Sequence, residues 1–568
     1  MCGIAGIVNR SDLSKTGGLL KKMLKVMPHR GPDGAGFVIG DYVDRQFKFE
    51  DLSFQRKTGK VAMGHVRLAI TGGATGLQPF QSKDKKLTLL HNGGVYNYRE
   101  LRKELPTEVE LETESDSEVI LKLIEKYYQG DLLDAIRKVL PKLDGVYALA
   151  VTDKRQIVIA RDKMGVKQLY ITSNENHAAF ASEKKALLAI SDDYAGIKRL
   201  HFGHIAVIDE AGIRDFPFWN PESLKSSVQI TNREEALKAY DKAITDSIAK
   251  RVVGRKRVGI VFSGGIDSTL VARLVQKTGV PFTCYTVGRE GARDIEWAQN
   301  IATRLNFPLK IKVLTTKEIE NLIPEVIETI EDHSLNQVEV SIPIYAAIRM
   351  AQEEGERVVL TGQGPDEIFG GYPWYSKIVY EEGYKSFAKY SWEDTLLLYK
   401  ECLEREDKVA MSHSVELRIP YLDLEVIKVA FEIAPELKIK GDNDSMLKWI
   451  HRQYGISMGI PEEIAIRKKE AAQHGADIHN VFEELANKNE ITGAMLSKAG
   501  YDLNKTVVEK LGSSSRYGFR YGDHHLWKPL LNVQYYLDTQ AGKLNLLPPE
   551  SKKHWEEVTS RLQSVGAI

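Results

Sequence analysis

Residues 258–274 read VGIVFSGGIDSTLVARL: an apolar run, a Ser-Gly-Gly turn, an aspartate and a serine, then an amphipathic stretch. The first part has the character of a buried strand and the last part that of a helix. Gly264 and Gly265 let the backbone approach a ligand closely, and the N–H groups that open the helix are free to bind phosphate oxygens. Asp267 stands at the turn, where a carboxylate can hold Mg2+ against such phosphates. The run has neither the GK[ST] of a Walker loop nor the GxGxxG of a dinucleotide fingerprint. The plainer reading is a tight strand-to-helix turn whose glycines are structural. A loop at the C-terminal edge of a parallel strand is, however, where open α/β sheets place nucleotides.

On either side of this run, helix-like stretches (234–251, 268–277, 294–305 and 342–354) alternate with compact strand-like ones (257–262, 282–287 and 358–360). Strand and helix in alternation predict a parallel sheet covered on both faces. The C-terminal third reads as mostly helical, and its end, HWEEVTSRLQSV, is amphipathic, fit to pack on its own domain or on a second copy in a homodimer. Toward the N-terminus the rhythm differs. GIAGIV, VAMGHVRLAI, KLTLLHNG, GVYALAVTD and QIVIARD are short β-like runs separated by Gly and Asp turns, with one good helix over 116–128. The Pro- and Ser-bearing stretch FPFWNPESLKSSVQITNREE reads as a connector. The expected organisation is α/β in two domains: a first domain over 2–210 with sheet at its core, a linker over 211–230, and a second domain over 231–568.

The 568 residues are 43% hydrophobic, enough for two cores. Lys plus Arg equals Asp plus Glu at 78 each, which gives no basic face for nucleic acid or a membrane surface. No run approaches the roughly 20 apolar residues of a membrane span. The opening MCGIAGIVNRSD lacks the basic region of a secretory signal. Three cysteines without metal-ligand spacing suit a reduced, cytoplasmic protein.

Cys2 is followed by Gly3. Removal of Met1 would make Cys2 the N-terminus, with its thiol beside its own α-amino group, whose unperturbed pKa of about 8 suits a general base. An accidental Met-Cys start, with the thiol buried as a small hydrophobe, is the plainer reading of that dipeptide alone.

The surrounding motifs argue against accident. MCGIAG resembles the opening of the class II glutamine amidotransferases, the N-terminal-nucleophile glutaminases. The likeness continues through HRGPDGAG (29–36), GHVRLAI (64–70), LQPF, HNGGVYNY (91–98), ESDSE (114–118), DGVYALAVTD, ARDKMGVKQLY and ASEKKAL. It implies a layered αββα sandwich and a catalytic Cys2. It further implies an oxyanion hole from Asn92 and Gly93, which suits a side-chain amide and a backbone N–H. Arg67 would clamp the α-carboxylate of glutamine, Asp116 would accept its ammonium, and Ile70 and Thr71 would complete the glutamine site.

SGGIDS (263–268) resembles the loop of the ATP pyrophosphatases, and VVLTGQGPDEIFGGYPWY (358–375) is similar to the asparagine synthetase segment SGEGxDExFxGY. REDKVAMSHSVELRIPYLD (405–423), KWIHR (448–452, against KYILR) and RKK (467–469) match the same family. The resemblance implies nucleotide and pyrophosphate contacts at Val261, Ser263, Gly264, Gly265, Asp267, Ser268, Val287, Thr361, Gly362, Asp366 and Lys448. It places a metal on Asp267 and Asp366, and a charge-neutralising role on Lys448. Arg467 and Lys469 complete the matched pattern.

The pattern is broken twice. Gly94 stands where the family has the Glu of NGE, and Gln363 where it has the Glu of SGEG. Gln363 can hydrogen-bond but cannot take a proton, so either no base is needed there, another group serves, or the acceptor acid differs.

A glutaminase followed by an adenylating domain implies amidation of aspartate with glutamine and ATP, using Mg2+ and releasing glutamate, AMP and pyrophosphate. Keeping ammonia unprotonated and near its target is a proximity advantage of one chain, and it leads us to expect an apolar passage between domains. The alternatives are amidation or amide closure of another carboxylic acid, as in β-lactam synthetases, and a non-catalytic sensor of glutamine or adenylate.

Overall fold

The computed structural model describes residues 2–55, 57–441, 447–468, 470–500, 531–564 and 566. Two compact units divide the chain. One comprises Met1–Pro221 with Met411–Glu416, the other Glu222–Ala410 with Leu417–Ile568. No helix among the described residues is long and apolar enough to cross a membrane.

The first unit carries two antiparallel sheets. One is ordered Lys198–Arg199, Tyr170–Ser173, His177–Ala181, Cys2–Asn9, Val61–Arg67, Ala35–Ile39, Tyr42–Gln46. The other is ordered Gly212–Pro217, His204–Asp209, Ile157–Arg161, Gly145–Thr152, Thr88–Val95, Phe80–Gln81. Successive side chains of a strand point to opposite faces, and both sheets are apolar on both faces. Ile4, Val8 and Met63 of the first pack with Leu90, Ala148 and Ile159 of the second. The opposite face of the first sheet, with Ala5, Ile7 and Phe37, buries Leu20, Met23 and Leu24 of the helix Thr16–Lys25. The opposite face of the second, with Leu89, Leu149 and Val151, buries Ile120, Ile124 and Ile136 of the helices Asp116–Tyr127 and Leu132–Val139. These three apolar layers make the αββα sandwich that the motifs implied.

In the second unit Leu309–Val313, Phe282–Gly288, Val258–Val261 and Val358–Leu360 lie side by side, with Glu416–Arg418 next to the last. The pairings among the first four strands are parallel. Helices Ile266–Thr278 and Leu335–Glu353 pack on the central strand, and Arg293–Leu305 on its neighbour. Asn232 caps Arg233–Val252 by accepting from Glu234 N and Glu235 N, and a Thr315/Glu318 capping box starts Thr316–Ile330.

Three details differ from the sequence reading. Gly212–Pro217, assigned to the linker, is the edge strand of the second sheet. The helix expected from Ile342 begins at Leu335 and runs through Pro343; proline reads as a helix start, yet here it only forgoes one N–H inside a long helix. Met411–Glu416 groups with the first unit, where Met411 packs with Leu68 and Ile70.

Candidate active sites

Cys2 opens a strand that runs between Val61–Arg67 and His177–Ala181, in register with Arg67. The Cys2 main-chain nitrogen donates to Asn92 Oδ1 at 2.9 Å, and its Sγ lies 3.9 Å from the Leu68 carbonyl. Its own carbonyl accepts from Arg30 Nε at 3.0 Å, and Arg30 Nη1 donates to Glu183 Oε1 at 2.9 Å. Burial pushes the Glu183 carboxyl up, but His29, Lys185 and Arg30 around it win and hold it well below the usual range. Arg30 and Glu183, inside motifs quoted above, were assigned no role from sequence. They form a buried ionic brace behind the Cys2 backbone.

Asn92 is fully buried. With Oδ1 on Cys2, its Nδ2 has no hydrogen-bond partner among the described residues. Gly93 has φ of +153°, and a Cβ there would meet the Val146 carbonyl at 2.1 Å, so no side chain fits. Gly94 is different: nothing lies within 4 Å of a Cβ built on it.

Thr71 joins the two charged candidates. Its carbonyl accepts from Arg67 Nη2 at 3.1 Å, and its hydroxyl donates to Asp116 Oδ1 at 3.0 Å. Arg67 also reaches the Gly73 carbonyl at 2.6 Å, while Asp116 Oδ2 accepts from Val95 N at 2.9 Å. Burial lowers the Arg67 pKa, opposed by Cys2 and Asp33. Ile70 packs on the Leu68–Met411 pair. Cys2, Arg67, Ile70, Thr71, Asn92, Gly93 and Asp116 are therefore linked by strand register, direct contact or one intervening residue.

In the second unit the strand Val258–Val261 delivers the Ser-Gly-Gly turn to the C-terminal edge of the parallel sheet. Ser263 Oγ accepts from Gly265 N at 3.3 Å and lies 3.4 Å from Ser268 Oγ, which holds the loop closed on itself. Gly264 has φ of +69°, and a Cβ on it would come 2.9 Å from Ala298 N. Gly362 abuts the same loop: its Cβ would meet Ser268 N at 2.8 Å. Thr361 is anchored by its N–H to the Arg418 carbonyl at 3.1 Å. Val261 pairs with Tyr285, and Val287 lies two residues farther along that neighbouring strand.

Lys448 is buried, and its Nζ lies 2.7 Å from Asp267 and 2.7 Å from Asp366. Its backbone is left-handed at φ +52°, a conformation that costs a non-glycine residue about 1 kcal/mol or more. Gly371 makes the arrangement possible, because a Cβ there would sit 2.0 Å from both Asp366 Oδ1 and Lys448 Cε. His451, where KYILR has leucine, is fully buried. Its Nδ1 is 2.8 Å from the Tyr240 hydroxyl and its Nε2 is 3.0 Å from Asp267 Oδ1. Burial lowers the His451 pKa, with Asp267 opposing. Arg467 reaches the Ser263 carbonyl at 3.4 Å and Asp294 at 3.0 Å; Lys469 lies outside the described residues. Among the described residues no group of three or more His, Cys, Asp or Glu is poised to hold a metal. Two converging carboxylates nevertheless suit Mg2+, which takes one or two carboxylates and completes its shell with phosphate and water.

The first arrangement can support nucleophilic attack with an amide donor at hand, and the second can gather phosphates at a helix start beside a buried cation. Comparison with known proteins agrees with this division. A glutamine amidotransferase domain model matches residues 1–219, and an asparagine synthase model matches residues 239–386 and 380–538. A putative glutamine-hydrolysing asparagine synthetase of Methanocaldococcus jannaschii is 34% identical over 86% of this chain and 96% of its own. Glutamine-hydrolysing asparagine synthetases of Lotus japonicus and Sandersonia aurantiaca are 28% and 30% identical, over 88% and 84% of this chain and 82% and 87% of theirs.

Proposed function

Because this chain belongs to the asparagine synthase family, we propose that it uses glutamine and ATP to amidate aspartate, releasing asparagine, glutamate, AMP and pyrophosphate. The observation that supports this most is that one chain carries both an N-terminal cysteine tied to Asn92 and a lysine gripped by two aspartates beside a Ser-Gly-Gly loop. Neither half alone makes an amide.

In the first half-reaction the Cys2 thiol attacks the glutamine carboxamide, and its α-amino group, freed by loss of Met1, accepts the proton. The Asn92 NH2, left over by its bond to Cys2, and the Gly93 N–H stabilise the oxyanion. Arg67 pairs with the α-carboxylate and Asp116 with the α-ammonium, with Ile70 and Thr71 lining the site. Ammonia leaves, and water releases glutamate from the thioester.

In the second, the acceptor carboxylate attacks the α-phosphorus of ATP and pyrophosphate departs. The loop Ser263–Ser268, with Thr361 and Gly362 against it and Val261 and Val287 on the strands, receives the nucleotide. Lys448 neutralises charge developing on the phosphates. Mg2+ held by Asp267 and Asp366 would supply further neutralisation. Ammonia then displaces AMP from the acyl-adenylate. Cys2, Cys284 and Cys402 are unpaired, as suits a reducing cytoplasm.

Exchange of labelled pyrophosphate into ATP tests the adenylation alone. Aspartate is expected to support exchange without glutamine. Exchange with some other carboxylic acid and none with aspartate would reassign the substrate, which Gln363 makes the specific point at issue.

A further inference from the structure

At position 363 this chain has an amide where the family pattern has a carboxylate. A carboxylate offers only acceptors, whereas a glutamine offers one acceptor oxygen and two N–H donors. An unrestrained Gln363 would turn either end toward a ligand. Here the amide is restrained: Gln363 Nε2 donates to Glu406 Oε1 at 3.4 Å. That places the NH2 on Glu406 and leaves Oε1 as the end available elsewhere. Gln363 itself is half-buried and follows Gly362, the residue packed against the backbone of Asp267 and Ser268.

Glu406 is fully buried. Arg405 Nη2 donates to its Oε1 at 3.0 Å, while its Oε2 has no hydrogen-bond partner among the described residues. Burial pushes its pKa up, with Arg405 opposing. A buried carboxylate with one oxygen unmatched costs stability, and such costs concentrate at working sites. Glu406 Oε1 answers the charge of buried Arg405, which leaves Oε2 unaccounted for, and the family resemblance assigns Glu406 no role.

We infer that Glu406 is a positioning residue for the amide-forming step, holding Gln363 so that its carbonyl oxygen meets the incoming ammonia. The inference rests on the synthetase reading above. In that step the nitrogen lone pair forms the C–N bond as the C–O bond to phosphate breaks. AMP leaves with that electron pair, and the surplus N–H proton ends on the AMP phosphate. The nitrogen is positively charged in between. An N–H bond to Gln363 Oε1 stabilises that charge, and the Glu406 charge strengthens the bond by polarising the amide between them. The duty of one carboxylate is thus divided between an amide that touches the substrate and a charge behind it.

The test moves the carboxylate in the full-length protein, with ammonium chloride as nitrogen donor, ATP and aspartate. Glu406→Gln is expected to lower amide formation about 10- to 100-fold, the range of one hydrogen bond to a charged group, with pyrophosphate exchange retained. Gln363→Glu alone sets two carboxylates together and is expected to fall similarly. Gln363→Glu with Glu406→Gln restores a single charge and is expected to recover most of the activity. Unchanged amide formation in Glu406→Gln overturns the inference. So does loss of exchange together with amide formation, which marks a merely structural role, or failure of the paired swap to recover. If the unaltered protein makes no amide from any acid, the synthetase reading falls and this inference with it.

Discussion

The main-chain nitrogen of Cys2 donates to Oδ1 of Asn92 at 2.9 Å. One amide is thereby oriented in a fixed sense: its oxygen holds the Cys2 nitrogen, and its buried NH2 has no hydrogen-bond partner among the described residues. Asn92→Ala is expected to reduce the kcat of glutamine hydrolysis about 10²- to 10³-fold with little change in KM, as for loss of one oxyanion donor. A large rise in KM with kcat intact would instead make Asn92 a substrate-binding group.

Neighbouring glycines should answer differently to substitution. A Cβ on Gly93 collides with the Val146 carbonyl, whereas one on Gly94 meets nothing within 4 Å. Gly93→Ala is expected to abolish glutamate release. Gly94→Glu is expected to fold normally and lower the glutamine KM by adding a carboxylate for the substrate ammonium. A KM equal to that of the parent would show that Asp116 already suffices.

Gly371→Ala probes the second site without replacing a charged residue. Its Cβ would displace Asp366 and Lys448, each 2.0 Å away. Pyrophosphate exchange is expected to fall by about 10²-fold or more, while glutaminase activity persists. Retained exchange would mean that the Asp366–Lys448 contact is dispensable.

His451→Leu restores the family's residue but removes the link from Tyr240 to Asp267. We expect a higher KM for ATP and unaltered glutamine hydrolysis, measured in separate assays.

A stability prediction follows from Asp394, which burial pushes up to about 7 against the opposing hydrogen bond from Tyr375. In the unfolded chain the group titrates near 3.9. Between these values the folded protein binds more protons than the unfolded one, so this group's contribution to stability falls as pH rises through that window and then levels off. Asp394→Asn removes the dependence. Its Tm relative to the parent is expected to climb between about pH 4 and about pH 7 and then level off, as thermal unfolding at several pH values would reveal.

The fold was legible where its causes are local. The apolar run before Ser263 and the helix after it are set by short-range periodicity, as is the helix Asp116–Tyr127. The connector reading fails at Gly212–Pro217 because that strand exposes Arg214, Asp215 and Pro217, shows no clean apolar alternation, and gains its order from the partner His204–Asp209. Within the candidate sites, motifs single out Lys448 and Asp366, but not the ties between residues. Arg30 reaches Glu183 across 153 positions, and Gln363 reaches Glu406 across 43. A charge buried in this way leaves no mark in composition or spacing, and Glu406 looks in sequence like any acidic residue on a helix.

The central claim is that one chain couples glutamine hydrolysis to amidation of aspartate. Its most direct test incubates the Met1-processed protein with ATP, Mg2+, glutamine and aspartate, following asparagine, glutamate, AMP and pyrophosphate together. Asparagine and pyrophosphate in equal amounts, with glutamate formation lost in Cys2→Ala, is the predicted result. Glutamate release without asparagine, and no pyrophosphate in the presence of aspartate, would contradict it.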